Sequence, residues 1–268
     1  MIPKCIAFFS LVILLSVSNL AQAQFGFSSE IGAIVGPVVF QSDYSAKNDL
    51  AAITNISGYG FGIVHYMNFS YTEDCNCYAS KSFFNDHFKI RSELSHSKTE
   101  QQNRGKWVEG NPSLGKEQLK AMYGSTTITN IGMQLEFFPL SIRDFSETIG
   151  SFAPFFSLGA QYSFYNTKAE STLGPLGTPL TTFPKYLTPS DGRPYGFSSE
   201  SNAIFTLVTS VGTRYKLAPL SDLMVDLRLQ RFFSDWVDGL NPNPEIYKEN
   251  KSKDWLVWFN VGYIYYIP

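Results

Sequence analysis

The chain has 268 residues, a formal net charge of −2 at pH 7 and an aromatic content of 16%. Net charge so close to zero removes the usual electrostatic argument for nucleic acid as a partner. Beyond the first 23 residues no run of 18 or more apolar residues occurs, which excludes helical membrane spans there.

The segment 1–23 predicts a cleavable signal peptide. Lys4 supplies a positive charge, and 6–17 is apolar apart from two serines. Residues 21–23 (Ala-Gln-Ala) then have the small-x-small form of a cleavage site. Cleavage after Ala23 is therefore predicted. It would remove Cys5, and no cysteine stands at the cleavage point, so a lipoprotein anchor is not indicated.

Eight segments alternate apolar and polar residues with period two, which predicts eight strands with two different faces. In chain order they run from Phe25 to about Phe40, Tyr59 to Tyr71, Phe88 to His96, Thr127 to Phe137, Phe156 to Phe164, Phe205 to Tyr215, Val225 to Leu229 and Trp255 to Ile267. The last is the clearest, because every odd position is apolar or aromatic. A continuous apolar face with rings near both ends indicates contact with lipid.

The connections between these segments alternate in length. Long polar connections are predicted at about 41–57, 99–120, 166–201 and 234–253, and shorter ones at about 72–84, 139–151 and 218–222. Long extracellular loops and short periplasmic turns are typical of bacterial outer-membrane barrels. We therefore predict an all-β fold, a closed antiparallel transmembrane up-and-down barrel over 24–268. The alternatives are a soluble β-sandwich, or ten strands if 166–201 contains a hairpin.

The polar faces carry charges of both signs. If the outward faces are assigned correctly, nine charged residues point inward: Glu30, Lys89, Arg91, Glu93, Glu136, Arg214, Lys216, Asp226 and Arg228. Counting from the 218–222 turn places Arg214 opposite Asp226. The interior of an eight-stranded barrel is filled by side chains, where paired charges are tolerated. We predict a packed salt-bridge network in the lumen in preference to a translocation path.

Two histidines are candidates for a functional role. His65 lies mid-strand on the lipid-facing parity, where a neutral imidazole can remain, or where a partner protein covers it. His96 would serve a barrel enzyme only with a hydroxyl from another strand, because its neighbours Ser95 and Ser97 face the opposite side. We interpret His96 as an ordinary residue of the barrel rim and predict no catalytic residue.

Two connections contain possible ligand clusters. Cys75 and Cys77, with His87 nearby, could form a strained disulfide or part of a metal site, but a stiffened periplasmic turn is the simpler interpretation. A cluster of acidic and amide residues in the last outer loop could hold Ca²⁺, although its spacing matches no defined loop. This cluster consists of Asp235, Asp238, Asn241, Asn243 and Glu245. We predict no metal site and no cofactor.

The last residues resemble the C-terminal assembly signal of outer-membrane barrels, in Asn260, Gly262, Tyr265 and Ile267. This resemblance implies recognition by the barrel-insertion machinery, although Pro268 displaces the usual terminal aromatic by one residue. Segments 137–145 and 236–242 also resemble a group of small OmpX-like outer-membrane proteins from Bacteroidota. That resemblance implies the fold and the location and assigns no catalytic residue.

The predicted function is that of a non-enzymatic outer-membrane barrel with a filled lumen, a structural or accessory subunit within the lipid of that membrane. Aromatic rings in the outer loops would contact a partner, for example a larger outer-membrane protein complex. These rings are Phe183, Tyr186, Tyr195, Phe197, Trp236 and Tyr247. The alternatives are a narrow pore for small solutes and an outer-leaflet lipid-modifying enzyme or protease that uses His96.

Overall fold

The computed structural model describes residues 28–41, 44, 57–69, 82–105, 108–248 and 253–267. The predicted signal peptide, Cys75, Cys77 and Pro268 lie outside these residues. So do residues 25–27 and 70–71 at the ends of two predicted strands.

Eight strands form one closed barrel in which each strand pairs with its neighbours in sequence and the first pairs with the last. All pairs are antiparallel. The strands are β1 (Ser28–Gln41), β2 (Ser57–Asn68), β3 (Phe88–Gln102), β4 (Met122–Phe137), β5 (Phe152–Ser171), β6 (Glu200–Ala218), β7 (Ser221–Phe232) and β8 (Trp255–Ile267). The predicted fold class is confirmed. The connection 172–199 contains no further pair of barrel strands, so the ten-stranded alternative is wrong.

In the described parts of the connections there are three short helices, α1 (Phe83–His87), α2 (Leu114–Ala121) and α3 (Ile142–Glu147). A single 3-10 helix, Pro184–Leu187, lies between β5 and β6. Among the described residues no helix combines the length and apolarity of a membrane span. The predicted alternation of long and short connections fails at one pair. The connection 69–87, which includes α1, is longer than the connection 42–56 before β2.

The two faces of the strands differ as the alternation predicts. On β8, for example, Phe259, Val261 and Tyr263 are exposed, whereas the residues between them are buried. The first strand gives a weaker signal because it is apolar on both faces, with Ile31 and Val35 outside and apolar side chains inside. The inward residues Ile34, Val38 and Phe40 belong to an apolar core to which β2, β4, β5, β7, β8 and the connections also contribute.

The register between β6 and β7 corrects one prediction. Asp226 lies opposite Gly212, and Arg214 lies opposite Met224, so the expected pairing of Arg214 with Asp226 is wrong. The predicted turn 218–222 is in fact tighter, because β6 continues to Ala218 and β7 begins at Ser221. The tighter turn shifts every partner by two residues, which preserves the inward face but changes the neighbours.

Candidate functional site

The nine charged residues named above all lie inside the barrel, and none is more than 3% exposed. They come from β1, β3, β4, β6 and β7, so they project into the lumen from several parts of the wall. Their burial follows from strand parity, since successive side chains on a strand face opposite sides.

The part of the lumen nearest the β6–β7 turn, called the lower part here, is organised around Glu30. Its carboxylate accepts a hydrogen bond from Lys89 Nζ at 2.5 Å and another from Arg214 Nη1 at 2.6 Å. The second guanidinium nitrogen of Arg214 donates to Glu136 Oε2 at 3.2 Å. One arginine therefore joins two buried carboxylates, from β1 and from β4, through the two terminal nitrogens of its planar guanidinium.

The middle of the lumen is organised around Arg91 and Arg228. Arg91 Nη1 lies 2.8 Å from Asp226 Oδ2 and 3.5 Å from Glu136 Oε1, and Arg91 Nη2 lies 2.9 Å from Glu93 Oε2. Arg228 binds both oxygens of Glu93, at 2.5 and 2.7 Å. Arg91 and Glu136 thus link the middle ion pairs to the lower ones, and the charges form one connected network.

One further member of this network is absent from the sequence prediction. Asp222, fully buried, lies 3.2 Å from Lys216 Nζ and 3.7 Å from Arg214 Nη1. Asp222 falls within the predicted turn 218–222, and for that reason it was not predicted to face the lumen. It shares the inward parity of Asp226 on the same strand, and that parity could have identified it. With Asp222 the network contains five acidic and five basic side chains, so its formal charges cancel.

Aromatic rings separate the ion pairs from the apolar wall. The Arg214 guanidinium lies 4.0 Å from the centre of the Tyr66 ring, and Lys216 Nζ lies 3.7 Å from the Tyr266 ring. Tyr266 also donates its hydroxyl hydrogen to Asp222 Oδ2 at 2.7 Å. Such contacts of cations with ring faces favour burial of the charge. Trp258, a bulky apolar residue on the inward face of β8, lies 4.9 Å from Arg228.

Above the charges the lumen contains amides and hydroxyls. Gln230 Nε2 lies within hydrogen-bonding distance of Asn130, Ser163 and Thr206 from three other strands. These neutral groups need no counter-charge, so the interior becomes less charged toward the end of the barrel that carries the connections 172–199 and 233–254.

The outer end of the lumen is covered by the connection that follows β7. Val237 is fully buried in the apolar core of the barrel, and its carbonyl oxygen accepts a hydrogen bond from Thr126 Oγ1 at 3.0 Å. Asp238 Oδ1 accepts from the backbone N–H of Leu240 at 2.7 Å and stabilises the turn. We call residues 236–240 the plug, because they lie across the mouth of the barrel.

The plug joins the outer connections into an ordered cap, defined here by residues 172–199 and 233–248. Backbone hydrogen bonds run from Ser198 N to Gly239 O at 2.8 Å and from Asn241 N to Gly196 O at 2.9 Å. In a second apolar cluster, two cap residues, Tyr186 and Leu240, pack with Tyr44, Met122 and Ala169. Burial, with the Asp238 carboxylate nearby, raises the pKa of the Tyr44 hydroxyl well above its ordinary value, so this side chain stays neutral.

The six outer-loop rings that were predicted to contact a partner differ in their exposure to solvent. Tyr186 and Trp236 are buried, so for these two the prediction is wrong. Trp236 lies 3.6 Å beneath the Arg193 guanidinium and donates from Nε1 to Asp191 at 3.2 Å. Tyr195, at 36%, is the most exposed, and it stacks on Phe197 with ring centres 5.1 Å apart. Phe183 and Tyr247 are half-buried.

Both candidate histidines lie on the outside of the barrel. His65 is half-buried and faces outward directly opposite Ser92 of β3. His96 Nδ1 lies 2.9 Å from Thr129 Oγ1 of β4, whereas Ser95 and Ser97 are buried on the other face. Among the described residues no carboxylate hydrogen-bonds to His96, so the orienting acid of a hydrolase triad is not found there.

Among the described residues no group of three or more histidine, cysteine or acidic side chains is arranged to hold a metal ion. The residues considered as Ca²⁺ ligands differ in environment, since Asp238 is buried in the plug and Glu245 is exposed. At the end of β8, Asn260 and Gly262 face the lumen, whereas Tyr265 faces outward.

No protein-family model matches the chain, and no curated protein matches it. Among solved structures, the chain is similar to the attachment invasion locus protein Ail of Yersinia pestis, with 12% identity and a TM-score of 0.41 over 91% of this chain and 100% of Ail. It is also similar to Neisserial surface protein A, with 14% identity and a TM-score of 0.39 over 90% and 96% of the two chains. A major outer membrane protein from Thermus thermophilus gives 12% identity and a TM-score of 0.45 over 90% and 99%. Identities this low assign no role to individual residues.

Proposed function

We propose that the protein is an integral outer-membrane barrel with a closed lumen, which serves as a structural or accessory subunit and displays an ordered cap at the cell surface. The observation that carries this proposal is the neutral network of ten charged side chains inside the barrel, covered at one end by the plug. A lumen occupied in this way leaves no polar path, and the cap offers a fixed surface for recognition.

The outer surface supports the location in a membrane. Outward side chains such as Val35, Ile63, Ile131, Leu158 and Phe205 are each more than half exposed, so most of the barrel wall presents hydrocarbon. An apolar surface of this extent is costly in water and favourable in lipid. The strands have 12 to 20 residues. Each strand is therefore longer than the about nine to eleven residues with which a tilted strand crosses a bilayer.

The inner interface is also marked by aromatic rings. Phe84 of α1 stacks on Phe88 with ring centres 4.9 Å apart, and Phe88 contacts Phe137 at 5.2 Å. Rings at the two borders of the apolar band are characteristic of membrane barrels. The long connections 172–199 and 233–254 at the other end support an orientation in which α1 and α3 lie on the periplasmic side and the cap lies outside.

The closed lumen predicts the absence of conductance. Purified protein reconstituted in a planar lipid bilayer should give no stable current step under an applied voltage, because ion pairs and the plug fill the path. A variant in which residues 236–240 are replaced by Gly-Ser linkers tests whether the plug or the network closes the barrel. We expect it to remain closed, since the network lies below the plug.

A stable unitary current from the unchanged protein would contradict the closed lumen and favour the narrow pore. Flotation with liposomes on a density gradient provides the companion measurement. Protein that stays at the bottom of the gradient, soluble without detergent, would contradict the membrane location itself.

The accessory role makes a prediction at His65. A photo-crosslinking amino acid at position 65 in native membranes should form adducts with lipid, because this side chain faces outward between Ile63 and Met67 in the apolar band. The matched control places the same amino acid at Tyr195 in the cap, where we expect crosslinks to a partner protein. A defined protein crosslinked from position 65 would instead place the partner against the barrel wall.

Export and assembly complete the proposal. Cleavage after Ala23 and recognition of Asn260, Gly262, Tyr265 and Ile267 by the barrel-insertion machinery would bring the chain to the outer membrane. The relation to Bacteroidota outer-membrane proteins stays a prediction from segments 137–145 and 236–242.

A further inference from the structure

A groove lies on the outer surface of the barrel across β4, β5 and β6, toward the end that carries the cap. Its volume is about 490 Å³, and Thr127, Thr129, Phe164, Asn166 and Ser201 contribute to its walls. The small residue Ala203 also lines it. By strand parity these six side chains point away from the lumen, whereas two further lining residues, Tyr165 and Asn202, have the inward parity. None of the lining residues belongs to the ion-pair network.

The groove lies where the apolar band of the barrel ends. Strand pairing defines three successive rows of outward side chains, each two residues further along the strands. From the membrane outward these rows are Leu94–Ile131–Tyr162–Phe205, His96–Thr129–Phe164–Ala203 and Lys98–Thr127–Asn166–Ser201. The first row is apolar or aromatic, the second is mixed and the third is polar. The change from apolar to polar side chains occupies four residues, about 13 Å of strand, at the outer end of the apolar band.

The groove offers hydrogen-bonding groups without charge. No described residue hydrogen-bonds to the side chains of Thr127, Asn166 or Ser201, so their hydroxyl and amide groups are available. The nearest cations on the outward face are Lys98 of the third row, paired with Glu100 at 3.3 Å, and Lys168, one row further out on β5 and not among the lining residues. A phosphate or carboxylate ligand would be expected to meet arginine, lysine or several backbone N–H groups. These neutral donors and acceptors suit hydroxyl groups better.

The groove also offers an aromatic face. Phe164 is 51% exposed and is held by an edge contact with Tyr162, whose ring centre lies 5.1 Å away. A sugar ring presents C–H groups on one face and hydroxyls around its edge. It can therefore pack on Phe164 while its hydroxyls reach Thr127, Asn166 and Ser201.

We propose that this groove binds the saccharide headgroup of an outer-leaflet glycolipid, whose acyl chains lie against Ile131, Tyr162 and Phe205. The proposal rests on the membrane location proposed above, because the acyl chains and the headgroup must meet the barrel at these heights. It gives the accessory barrel a specific lipid contact on the β4–β6 side.

Native mass spectrometry of the detergent-solubilised full chain tests this proposal. The two probes are monoglucosyl-diacylglycerol and phosphatidylcholine with identical acyl chains, added at equal concentration. We expect a one-to-one glucolipid adduct that survives activation better than the phosphatidylcholine adduct. Ala203→Trp, which fills the groove, should lower the adduct roughly fivefold, and Asn166→Ala should lower it less, in line with the loss of about one hydrogen bond.

Thr209→Trp is the matched control, because it places the same ring on the outward face of β6 outside the groove. We expect this variant to retain the glucolipid adduct. Equal retention in Ala203→Trp, or equal binding of the two lipids, would overturn the headgroup site and identify ordinary annular lipid. Liposome flotation separates the two proposals. A barrel that floats without glucolipid preference keeps its membrane location and loses the groove site, whereas a barrel that does not float loses both.

Discussion

Arg214→Ala should destabilise the barrel by about 3–5 kcal/mol, the usual effect of removing one partner from a buried ion pair. Arg214 is fully buried and binds Glu30 at 2.6 Å and Glu136 at 3.2 Å. Its removal leaves two carboxylates in the interior with less positive charge around them, and takes the stacking cation from the Tyr66 ring. The free energy of unfolding in guanidinium, followed by tryptophan fluorescence in lipid vesicles, measures the effect.

Arg231→Ala is the matched control, since Arg231 lies on β7 but faces outward and is exposed. We expect that variant to unfold within about 0.5 kcal/mol of the unchanged protein. Arg214→Lys should fall between the two, because it keeps the charge but cannot bridge both carboxylates with a planar fork. Equal stability of Arg214→Ala and Arg231→Ala would show that the network does not stabilise the lumen.

Gly36→Val should prevent closure of the barrel. Gly36 lies on β1 at the seam with the last strand, where the pairing of β1 with β8 is interrupted between Val35 and Val38. A Cβ atom at position 36 would overlap the backbone carbonyl oxygen of Phe259. Because the obstructing atom belongs to the backbone, side-chain movement cannot relieve the overlap. The loss of folding free energy should therefore exceed the value of about 1–3 kcal/mol that is typical of overpacking.

The heat-modifiable band shift of folded barrels on SDS gels reports closure directly. The unchanged protein should migrate as a compact band without heating, whereas Gly36→Val should migrate mostly as the unfolded chain. Ala33→Val is the control, because Ala33 lies on the same strand, faces outward and is exposed. A compact, unheated band for Gly36→Val would show that the seam can widen to accept a side chain.

The alternation of the sequence predicts which side chains face lipid, and it does so because the pleat of a strand is local. Phe259, Val261 and Tyr263 are outward for that reason alone. The same rule places Glu93 and Arg228 inside without any knowledge of the closed barrel. It works less well for β1, where apolar residues on both faces hide the period.

Which charges pair was decided by the closed barrel. Arg214 meets Glu30, 184 residues away, because closure of the barrel leaves only β7 and β8 between β6 and β1, and the register of these strands sets the heights of the two side chains. A turn that is tighter than predicted moved Asp226 away from Arg214 and brought Asp222 into the network. The sequence pattern did not predict the plug for a similar reason. Trp236 and Val237 stand in a polar connection, and their burial depends on a barrel mouth that no local pattern contains. A strand fixes the side to which each residue points, whereas its neighbours across the lumen depend on the sum of seven other pairings and on the folding of the loops.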